Sequence, residues 1–469
     1  MKEPNHKKKE KQELANAFLE EISEGSMPML SLEQCELLLE IFVENAHEEG
    51  LNHLEEVLME QFPFSEEAQL MLVEIKSFML QYDDALSILD QRLMMSPTNA
   101  DLLTAKGEIL IITEKYEQAE DALQQALLYH HEPAEIHYNL GLVAQATQKP
   151  EIAIENFNKA LEIDPNLENV WLDLGYNLEM VDRPEEAMRC YEHYLDLDPF
   201  SATAWFNLGV VCCKLDHLDK AVNAYDFAIT LEDDFASAHF NLGNVYMNLE
   251  KFDKAIRCYE KVLELEGSSG ETYCYLGAAY EHQGLTREAS RHYKKSVSFD
   301  KNYDDGWFGL ASCCIKTDRP SEAKHFIEKA IALTEDKPVY WMIAAEAERM
   351  LNNWEKAELC FERARSIGGI NEELYVHWSM MYYQRNDFSK AFEKVSEGMQ
   401  ILEKNARLHY IAAAYLLLGH QYDEAIDYLK TALSLDQEKF DALLDFFPSR
   451  KTQKALFEFI NQYRKDQIE

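Results

Sequence analysis

The chain has 469 residues, of which 47% are hydrophobic and 28% are charged, a balance typical of folded rather than disordered proteins. Its formal net charge of −40 argues against nucleic-acid binding, because contact with a phosphate backbone requires a positively charged surface. No apolar segment of a secretory signal follows the basic N-terminus, and the longest apolar run, 410–418, is half the length of a membrane span. We therefore expect a protein that binds neither nucleic acid nor membrane.

The cysteines and histidines predict neither disulfides nor a metal site. The nine cysteines are scattered and none stands in a Cys-x-x-Cys motif, which is typical of reduced thiols in a cytoplasmic protein. The adjacent His130 and His131 lack cysteine or aspartate partners at ligand spacing. The sequence also lacks a P-loop, a Gly-x-Gly-x-x-Gly loop, a His-Glu-x-x-His motif and a Gly-x-Ser-x-Gly motif. We expect a cytoplasmic protein with no enzymatic activity, no cofactor and no metal.

Four regions follow one another along the chain. The first combines a basic tip with an acidic amphipathic helix, and the second predicts one degenerate helical hairpin. The third holds eleven tandem units of 34 residues without an insertion or deletion. The last has no repeat register, so we expect capping helices around Phe447-Pro448. The four regions are residues 1–31, 32–65, 66–439 and 440–469.

An alanine that recurs every 34 residues marks the repeat. A fixed period of this length is typical of a repeat array and overrides the division into several globular domains that the length alone would suggest. If positions 1 to 34 are counted from residue 66 onwards, the alanine occupies position 20 of every unit. The alanines are Ala85, Ala119, Ala153, Ala187, Ala221, Ala255, Ala289, Ala323, Ala357, Ala391 and Ala425.

Each unit predicts two helices. In residues 134–167, small or apolar side chains fall at positions 7, 8 and 11 and again at positions 20, 24 and 27, and each set lies on one face of a helix. Pro150 stands just before the second helix, and Pro165 ends it because proline cannot continue the helical hydrogen bonds. One such hairpin cannot bury its apolar face, so we expect neighbouring hairpins to stack.

Position 8 is glycine in six consecutive units, although glycine inside a helix costs about 1 kcal/mol relative to alanine. We interpret this as close approach of the first helix to the second, with the alanine at position 20 opposite the glycine. Large residues at position 24 are expected to fill the gap to the next hairpin. The glycines are Gly107, Gly141, Gly175, Gly209, Gly243 and Gly277.

This pattern resembles the tetratricopeptide repeat family. The family has an aromatic residue at position 4, leucine at 7, glycine at 8, tyrosine at 11, alanine at 20 and 27, an aromatic residue at 24 and proline at 32. Here these positions carry, for example, Trp171, Leu174, Gly175, Tyr246, Ala187, Ala160, Tyr191 and Pro199. The resemblance covers residues 66–439 and is most specific at 134–301. It implies an all-α fold, a right-handed superhelical α-solenoid of tandem helix-turn-helix repeats whose concave groove binds extended peptides.

The candidate partner-binding residues lie at the groove positions of the first helices. Position 5 is repeatedly large and apolar, and position 6 carries amides that resemble the asparagine ladder in the repeat domain of protein O-linked N-acetylglucosamine transferases. An amide can both donate to and accept from a peptide backbone. Alternatively, the position 5 side chains pack against the adjacent repeat and serve only the scaffold. The candidates are Asn139, Asp173, Asn207, Asn241, Tyr138, Phe206, Phe240, Asn244 and Phe308.

A carboxylate clamp of the kind found in chaperone-tail adaptors of this family is not expected. That clamp needs lysines at positions 5 and 2, where this chain has Phe240 and Asp305. Several acidic residues near the groove would also repel an acidic tail. They are Glu135, Asp173, Glu179, Glu271, Glu281 and Asp305.

The sequence supports two hypotheses of function. The first is a non-enzymatic interaction scaffold or adaptor that binds a protein or peptide partner, basic or extended, in the concave groove. The second is a regulatory subunit of an enzyme complex, which docks through its divergent C-terminal repeats at 304–439 or through its convex face. The identity of the partner and the oligomeric state stay open.

Overall fold

The computed structural model describes residues 3–131, 133–436, 438–444 and 446. All regular secondary structure in these residues is helical. The chain divides into two compact units, Met1–Asp233 and Asp234–Glu469. The capping helices expected around Phe447-Pro448 lie outside the described residues.

The described part of the first unit contains a series of helices of similar length, most of them connected by short turns. They are α1 Glu3–Ser23, α2 Leu32–Glu44, α3 Glu48–Gln61, α4 Glu66–Phe78, α5 Tyr82–Leu93, α6 Ala100–Ile112, α7 Tyr116–Leu127, α8 Ala134–Ala146, α9 Pro150–Ile163, α10 Glu168–Met180, α11 Pro184–Leu197, α12 Ala202–Lys214 and α13 Leu218–Leu231.

The second unit continues the same alternation and ends, in its described part, with a short 3₁₀ helix and one turn of α-helix. Its α-helices are α14 Ala236–Asn248, α15 Phe252–Glu266, α16 Gly270–His282, α17 Thr286–Phe299, α18 Asp304–Lys316, α19 Pro320–Leu333, α20 Pro338–Met350, α21 Trp354–Ser366, α22 Glu372–Gln384, α23 Phe388–Ile401, α24 Ala406–Leu418, α25 Tyr422–Leu435 and α26 Asp441–Leu444, with the 3₁₀ helix Glu438–Phe440 before the last.

Helical hairpins stack one on another within each unit. The most extensive contacts join the two helices of one 34-residue repeat, such as α8 with α9 and α16 with α17. The second helix of a repeat then contacts the first helix of the next repeat, and successive first helices, such as α8 and α10, also touch. This arrangement confirms the predicted fold class, an all-α solenoid of helical repeats. We call the side on which successive first helices of one unit expose positions 5, 6, 9 and 12 the first-helix face.

The repeat alanines lie at the centre of the hairpins, with at most 1% of their surface exposed. The prediction that they face the glycines at position 8 is wrong, because the neighbour of the glycine is the large side chain at position 24. A Cβ atom placed on Gly141 would lie 2.3 Å from the Phe157 ring, and one on Gly175 would lie 2.6 Å from the Tyr191 ring. In these two repeats the ring fills the space beside the glycine, so a larger residue at position 8 would collide with the ring as it now lies.

The position 24 rings also reach the next hairpin, as the sequence predicted. Tyr259 packs against Tyr275 of the following first helix, with ring centroids 5.6 Å apart. A Cβ atom on Gly309 would lie 2.3 Å from the Tyr293 ring of the preceding repeat. One aromatic side chain therefore joins its own hairpin to the next.

The turn between the two helices of a repeat has a second 34-residue regularity that the sequence pattern did not reveal. Position 15 has a positive φ in every repeat, 54–62° for the non-glycine residues and 77° for Gly284. The first is Leu80, whose N–H donates to the Ser77 carbonyl while the next N–H donates to the Lys76 carbonyl. This left-handed residue ends the first helix and reverses the chain.

The described end of the second unit packs against its last first helix. Phe440 makes an edge contact with Tyr410, with ring centroids 6.1 Å apart. Phe446 contacts Tyr415 and also Tyr383 of the preceding first helix, with centroids 5.2 and 5.1 Å apart. These rings bury the apolar edge of the last hairpin.

Candidate partner-binding surface

On the first-helix face of the first unit, Asn139 links two neighbouring repeats. It is only 5% exposed, and its amide donates a 2.9 Å hydrogen bond to Glu108 of the preceding first helix. Burial raises the pKa of Glu108, and the Asn139 amide partly opposes this effect. At least one donor of Asn139 is therefore used inside the protein.

Tyr138, the neighbour of Asn139 on α8, links α8 to the following first helix. Its hydroxyl donates a 3.0 Å hydrogen bond to the Asp173 carboxylate. Burial raises the pKa of Asp173, although hydrogen bonds with Tyr138 and Gln145 oppose it. Asp173 thus interrupts the row of amides with a half-buried carboxyl group.

Asn207 on α12 is the third predicted residue at position 6 in the first unit. Its side chain is half-buried and makes no hydrogen bond with any described residue. The adjacent Phe206 packs on the Tyr225 ring, with centroids 5.8 Å apart. The donors and the acceptor of the Asn207 side chain are therefore unused within the described residues, whereas Phe206 packs within its own hairpin.

In the second unit, Asn241 and Phe240 border an open depression of about 240 Å³. Phe240 packs on Tyr259 and makes an edge contact with Tyr275 of the next first helix. The side chain of Asn241, like that of Asn207, makes no hydrogen bond with any residue described. The other residues around the depression are Ala236, Ser237, Val262, Glu266, Ser269, Glu271 and Thr272.

The two remaining candidates make internal contacts. The Asn244 amide oxygen accepts a 2.7 Å hydrogen bond from the Tyr259 hydroxyl. Phe308 stacks on Tyr340 of the next first helix, with centroids 5.1 Å apart. Contacts with the adjacent repeat, proposed as the alternative role of position 5, are therefore present at Phe308 and Phe240.

Hydroxyl groups at position 24 reach the first-helix face, which sequence reasoning missed. The glycine at position 8 lets the tyrosine ring pass beside the first helix. Tyr293 then donates a 2.8 Å hydrogen bond to Glu281, just as Tyr259 donates to Asn244. Tyr191, at the same position, is fully buried, and its hydroxyl finds no hydrogen-bond partner among the residues described. The sequence signal for this feature is a tyrosine 16 residues after the glycine at position 8.

The sequence also did not predict a pocket of about 340 Å³ in the second unit, which is lined by charged and apolar side chains. Burial alone would raise the pKa of Glu346, but hydrogen bonds from Arg349 and His377 outweigh it and lower this pKa to about 2. Arg407 pairs with Glu373 at 2.6 Å. The other side chains around the pocket are Val376, Met380, Tyr383, Ile411 and Phe446.

Two further searches of the described residues gave negative results. No group of three or more histidine, cysteine, aspartate or glutamate side chains there is arranged to hold a metal ion. Within the same ranges, no helix combines the length and the apolar character that crossing a membrane requires.

The fold and its first-helix faces define a helical-repeat protein built from 34-residue hairpins. Sequence family models described as tetratricopeptide repeat or TPR repeat match six segments. The chain therefore belongs to the tetratricopeptide repeat family. The matched segments are 79–146, 134–167, 190–223, 211–250, 236–269 and 304–337.

A further family model, described as anaphase-promoting complex, cyclosome, subunit 3, matches residues 350–432. No curated protein matches the chain. Among solved structures, the MamA protein is 30% identical, with 37% of this chain and 94% of that chain covered and a TM-score of 0.36. A tetratricopeptide repeat protein from Parabacteroides merdae ATCC 43184 is 18% identical, with 53% and 98% covered and a TM-score of 0.45. The APC/C hetero-tetramer Cut9-Hcn1 is 12% identical, with 86% and 90% covered and a TM-score of 0.43.

Proposed function

We propose that this protein is a non-enzymatic interaction scaffold that holds an extended segment of a partner protein on its first-helix faces. The observation that carries the proposal concerns two amide side chains, Asn207 and Asn241. Neither makes a hydrogen bond with a described residue, and each lies next to an aromatic ring. An amide side chain can hold a peptide backbone through paired donor and acceptor contacts. In this respect the face would resemble the asparagine ladder of O-linked N-acetylglucosamine transferases.

On this proposal the predicted residues have unequal roles. Asn207 and Asn241 are the best candidates for direct contact with the partner. Asn139 and Asn244 would act mainly by holding Glu108 and the Tyr259 hydroxyl, and Asp173 would add a negative charge to the face. Phe206, Phe240, Phe308 and Tyr138 would shape the surface on which the segment lies.

The nine cysteines support a cytoplasmic location for this activity. None of them forms a disulfide, which agrees with a reducing compartment. Burial raises the pKa of Cys35 to about 11 and that of Cys190 to about 12, so both thiols stay protonated and unreactive.

The test is affinity purification from the native cell lysate, read by mass spectrometry. The Asn207→Ala/Asn241→Ala variant should lose partners that the wild type retains, while its thermal unfolding should change little. The matched control is Asn158→Ala/Asn223→Ala, because these asparagines are exposed on second helices. If the groove variant and the control capture the same partners as the wild type, binding on the first-helix face is ruled out.

A second function, as a regulatory subunit of a multi-protein enzyme complex, is favoured by one specific observation. The match to an anaphase-promoting complex subunit family covers residues 350–432, which include part of the pocket around His377. The variant His377→Ala/Glu373→Ala changes two partly exposed side chains of that pocket. Loss of partners in this variant, with retention in Asn207→Ala/Asn241→Ala, would favour the second function over the first.

A further inference from the structure

The acidic groups of the first helices differ in whether a cation accompanies them. In the second unit, Lys337 lies 3.0 Å from Asp304 and 2.8 Å from Asp305, and Arg407 contacts both Glu372 and Glu373. These cations outweigh burial and lower the pKa of Asp304 and Glu372.

The first unit has two half-buried carboxyl groups on its first-helix face that lack such a cation. Glu108 and Asp173 are hydrogen-bonded only to neutral side chains, and no lysine, arginine or histidine of the described residues lies within ion-pair distance of either. Burial raises the pKa of both groups, and the nearby Glu135 raises that of Glu108 further.

These two carboxyl groups belong to one patch. Asn139 holds Glu108 on one side of α8, and its neighbour Tyr138 holds Asp173 on the other side. The carboxyl groups therefore flank α8 and are oriented by consecutive residues of that helix. Their orientation by hydrogen bonds means that little side-chain freedom would be lost when a cation binds.

A buried hydroxyl group near Asp173 is the second feature of this patch. Tyr191 is fully buried and its hydroxyl has no hydrogen-bond partner among the described residues, although an unpaired buried polar group is costly. Its ring tip lies beside Gly175 of α10, and, after burial, the charges of Glu179 and Asp173 raise the pKa of its hydroxyl, so both carboxyl groups lie near it. The equivalent hydroxyls of Tyr259 and Tyr293 meet acceptors on the first-helix face, so that of Tyr191 points toward the same side.

We propose that the patch formed by Glu108, Asp173 and Tyr191 binds two cationic side chains, lysine or arginine, of an extended partner segment. This inference rests on the proposed function and names the chemistry of the partner. An ammonium or guanidinium group would form charge-assisted hydrogen bonds with each carboxylate, and the Tyr191 oxygen offers a further acceptor beside Asp173.

The spacing of the cationic residues follows from the helix packing. Neighbouring helices lie about 8–10 Å apart, and both carboxyl groups lean toward α8, which lies between their helices. An extended chain advances about 3.3 Å per residue. Two basic residues about four positions apart therefore match the two carboxyl groups.

The binding test uses the full chain and a fluorescently labelled serine–glycine peptide with lysine at every fourth position. Fluorescence anisotropy compares the wild type with Glu108→Gln/Asp173→Asn, in which both charges are removed and the acceptor oxygens for Asn139 and Tyr138 are kept. We expect the variant to bind about tenfold or more weakly. The same peptide with glutamine in place of lysine should not bind.

The matched control variant, Asp121→Asn/Glu162→Gln, removes the same formal charge from exposed positions on second helices. It should bind the lysine peptide within about twofold of the wild type, because screened surface charges contribute little. An equal loss in both variants would mean general attraction to an acidic protein, and no preference for lysine over glutamine would overturn the proposal outright. Circular dichroism of both variants checks that each remains folded.

A second readout locates the contact. A zero-length carbodiimide crosslinker joins an amine to a carboxyl group that it touches, and mass spectrometry should find the lysine peptide attached to Glu108 or Asp173. Attachment only elsewhere would contradict the assignment.

The partner capture described above separates the two proposals. Loss of native partners in Asn207→Ala/Asn241→Ala, together with lysine-peptide binding that is unchanged by Glu108→Gln/Asp173→Asn, would retain the scaffold function and refute the cationic site. If instead Asn207→Ala/Asn241→Ala keeps all native partners and Glu108→Gln/Asp173→Asn loses lysine-peptide binding, the cationic site is retained and the role of the asparagines is refuted.

Discussion

Single glycines set how closely the two helices of a repeat approach each other. The glycine at position 8 leaves room for the aromatic ring at position 24, and the tyrosine hydroxyl can then pass to the first-helix face, as in Tyr259 and Tyr293. One small residue therefore serves both the packing of the hairpin and the polarity of the candidate binding surface.

Replacement of such a glycine should be destabilising despite the better helix propensity of alanine. In Gly175→Ala the new Cβ atom would lie 2.6 Å from the Tyr191 ring. We expect the free energy of unfolding to fall by about 1–3 kcal/mol, measured by chemical denaturation. Addition of Tyr191→Ile should restore most of the loss, because the repeat with Ala311 at position 8 has Ile327 at position 24 and both are buried. If the second substitution has no effect, the ring is not the cause.

Each turn contains a residue in the left-handed conformation, and a suitable substitution there should stabilise the protein rather than destabilise it. Leu80 has a φ of 58° and is 72% exposed, and a bulky side chain is unfavourable in this conformation whereas asparagine tolerates it. Leu80→Asn should raise the free energy of unfolding by about 0.5–1 kcal/mol. Leu128, which is 76% exposed with a φ of −72°, is the matched control. Leu128→Asn should bring no such gain, and equal gains would mean that solubility rather than backbone geometry is responsible.

At the scale of the helical hairpin, the alanine at position 20 determines how the second helix packs. Ala221 lies on α13 and is fully buried where α13 packs against α12. A larger side chain there would push the helices apart, since protein interiors are close-packed.

The variant Ala221→Leu should lower the free energy of unfolding by about 1–3 kcal/mol. Asn223→Leu, two residues further along the same helix at an exposed site, adds similar volume without overpacking and should change stability by less than about 0.5 kcal/mol. Thermal unfolding followed by circular dichroism compares the two variants, and equal melting temperatures would contradict the buried position of Ala221.

On the scale of the whole molecule, the formal charge is −40, and only some of the half-buried acids have a cation beside them. Lysine and arginine residues lie beside acids of the first helices, such as Asp304 and Glu346 in the second unit and Glu179 in the first. Glu108 and Asp173 in the first unit have no such cation, and burial raises the pKa of both, so ionisation of either group costs stability. Groups kept at such a cost are often functional.

This cost should depend on pH. Because the pKa of Glu108 is raised in the folded state, its contribution to stability is fully present below the ordinary carboxyl pKa and is lost as the pH rises through the folded value. The variant Glu108→Gln should therefore be more stable than the wild type near neutral pH, by up to about 1 kcal/mol. The difference should shrink as the pH falls through the raised pKa. Chemical denaturation of both proteins at about pH 7.5 and pH 5 tests this, and a variant that is less stable at neutral pH would show that the charge is favourable there.

The helical repeat was predictable from the sequence because it depends on a short pattern that recurs in every unit. The alanine at position 20, the glycine at position 8 and the aromatic at position 24 each identify a buried helix face. Of the candidate site, the residue positions were predictable, but not their partners. Asn139 and Asn207 occupy the same repeat position, yet only Asn139 meets an acid, Glu108, in the preceding repeat.

The sequence by itself determined the all-α repeat class, since helix periodicity and the 34-residue spacing are properties of one unit of chain. Only the tertiary structure decided that glycine faces the ring at position 24, that Tyr191 lacks a hydrogen-bond partner, and which acids have a cation beside them. The physical reason is that these contacts join residues in different helices, 16 positions apart within a repeat or 31–35 residues apart between repeats. Such contacts depend on how far each side chain reaches and on what the neighbouring helix presents, and no pattern within one helix contains that information.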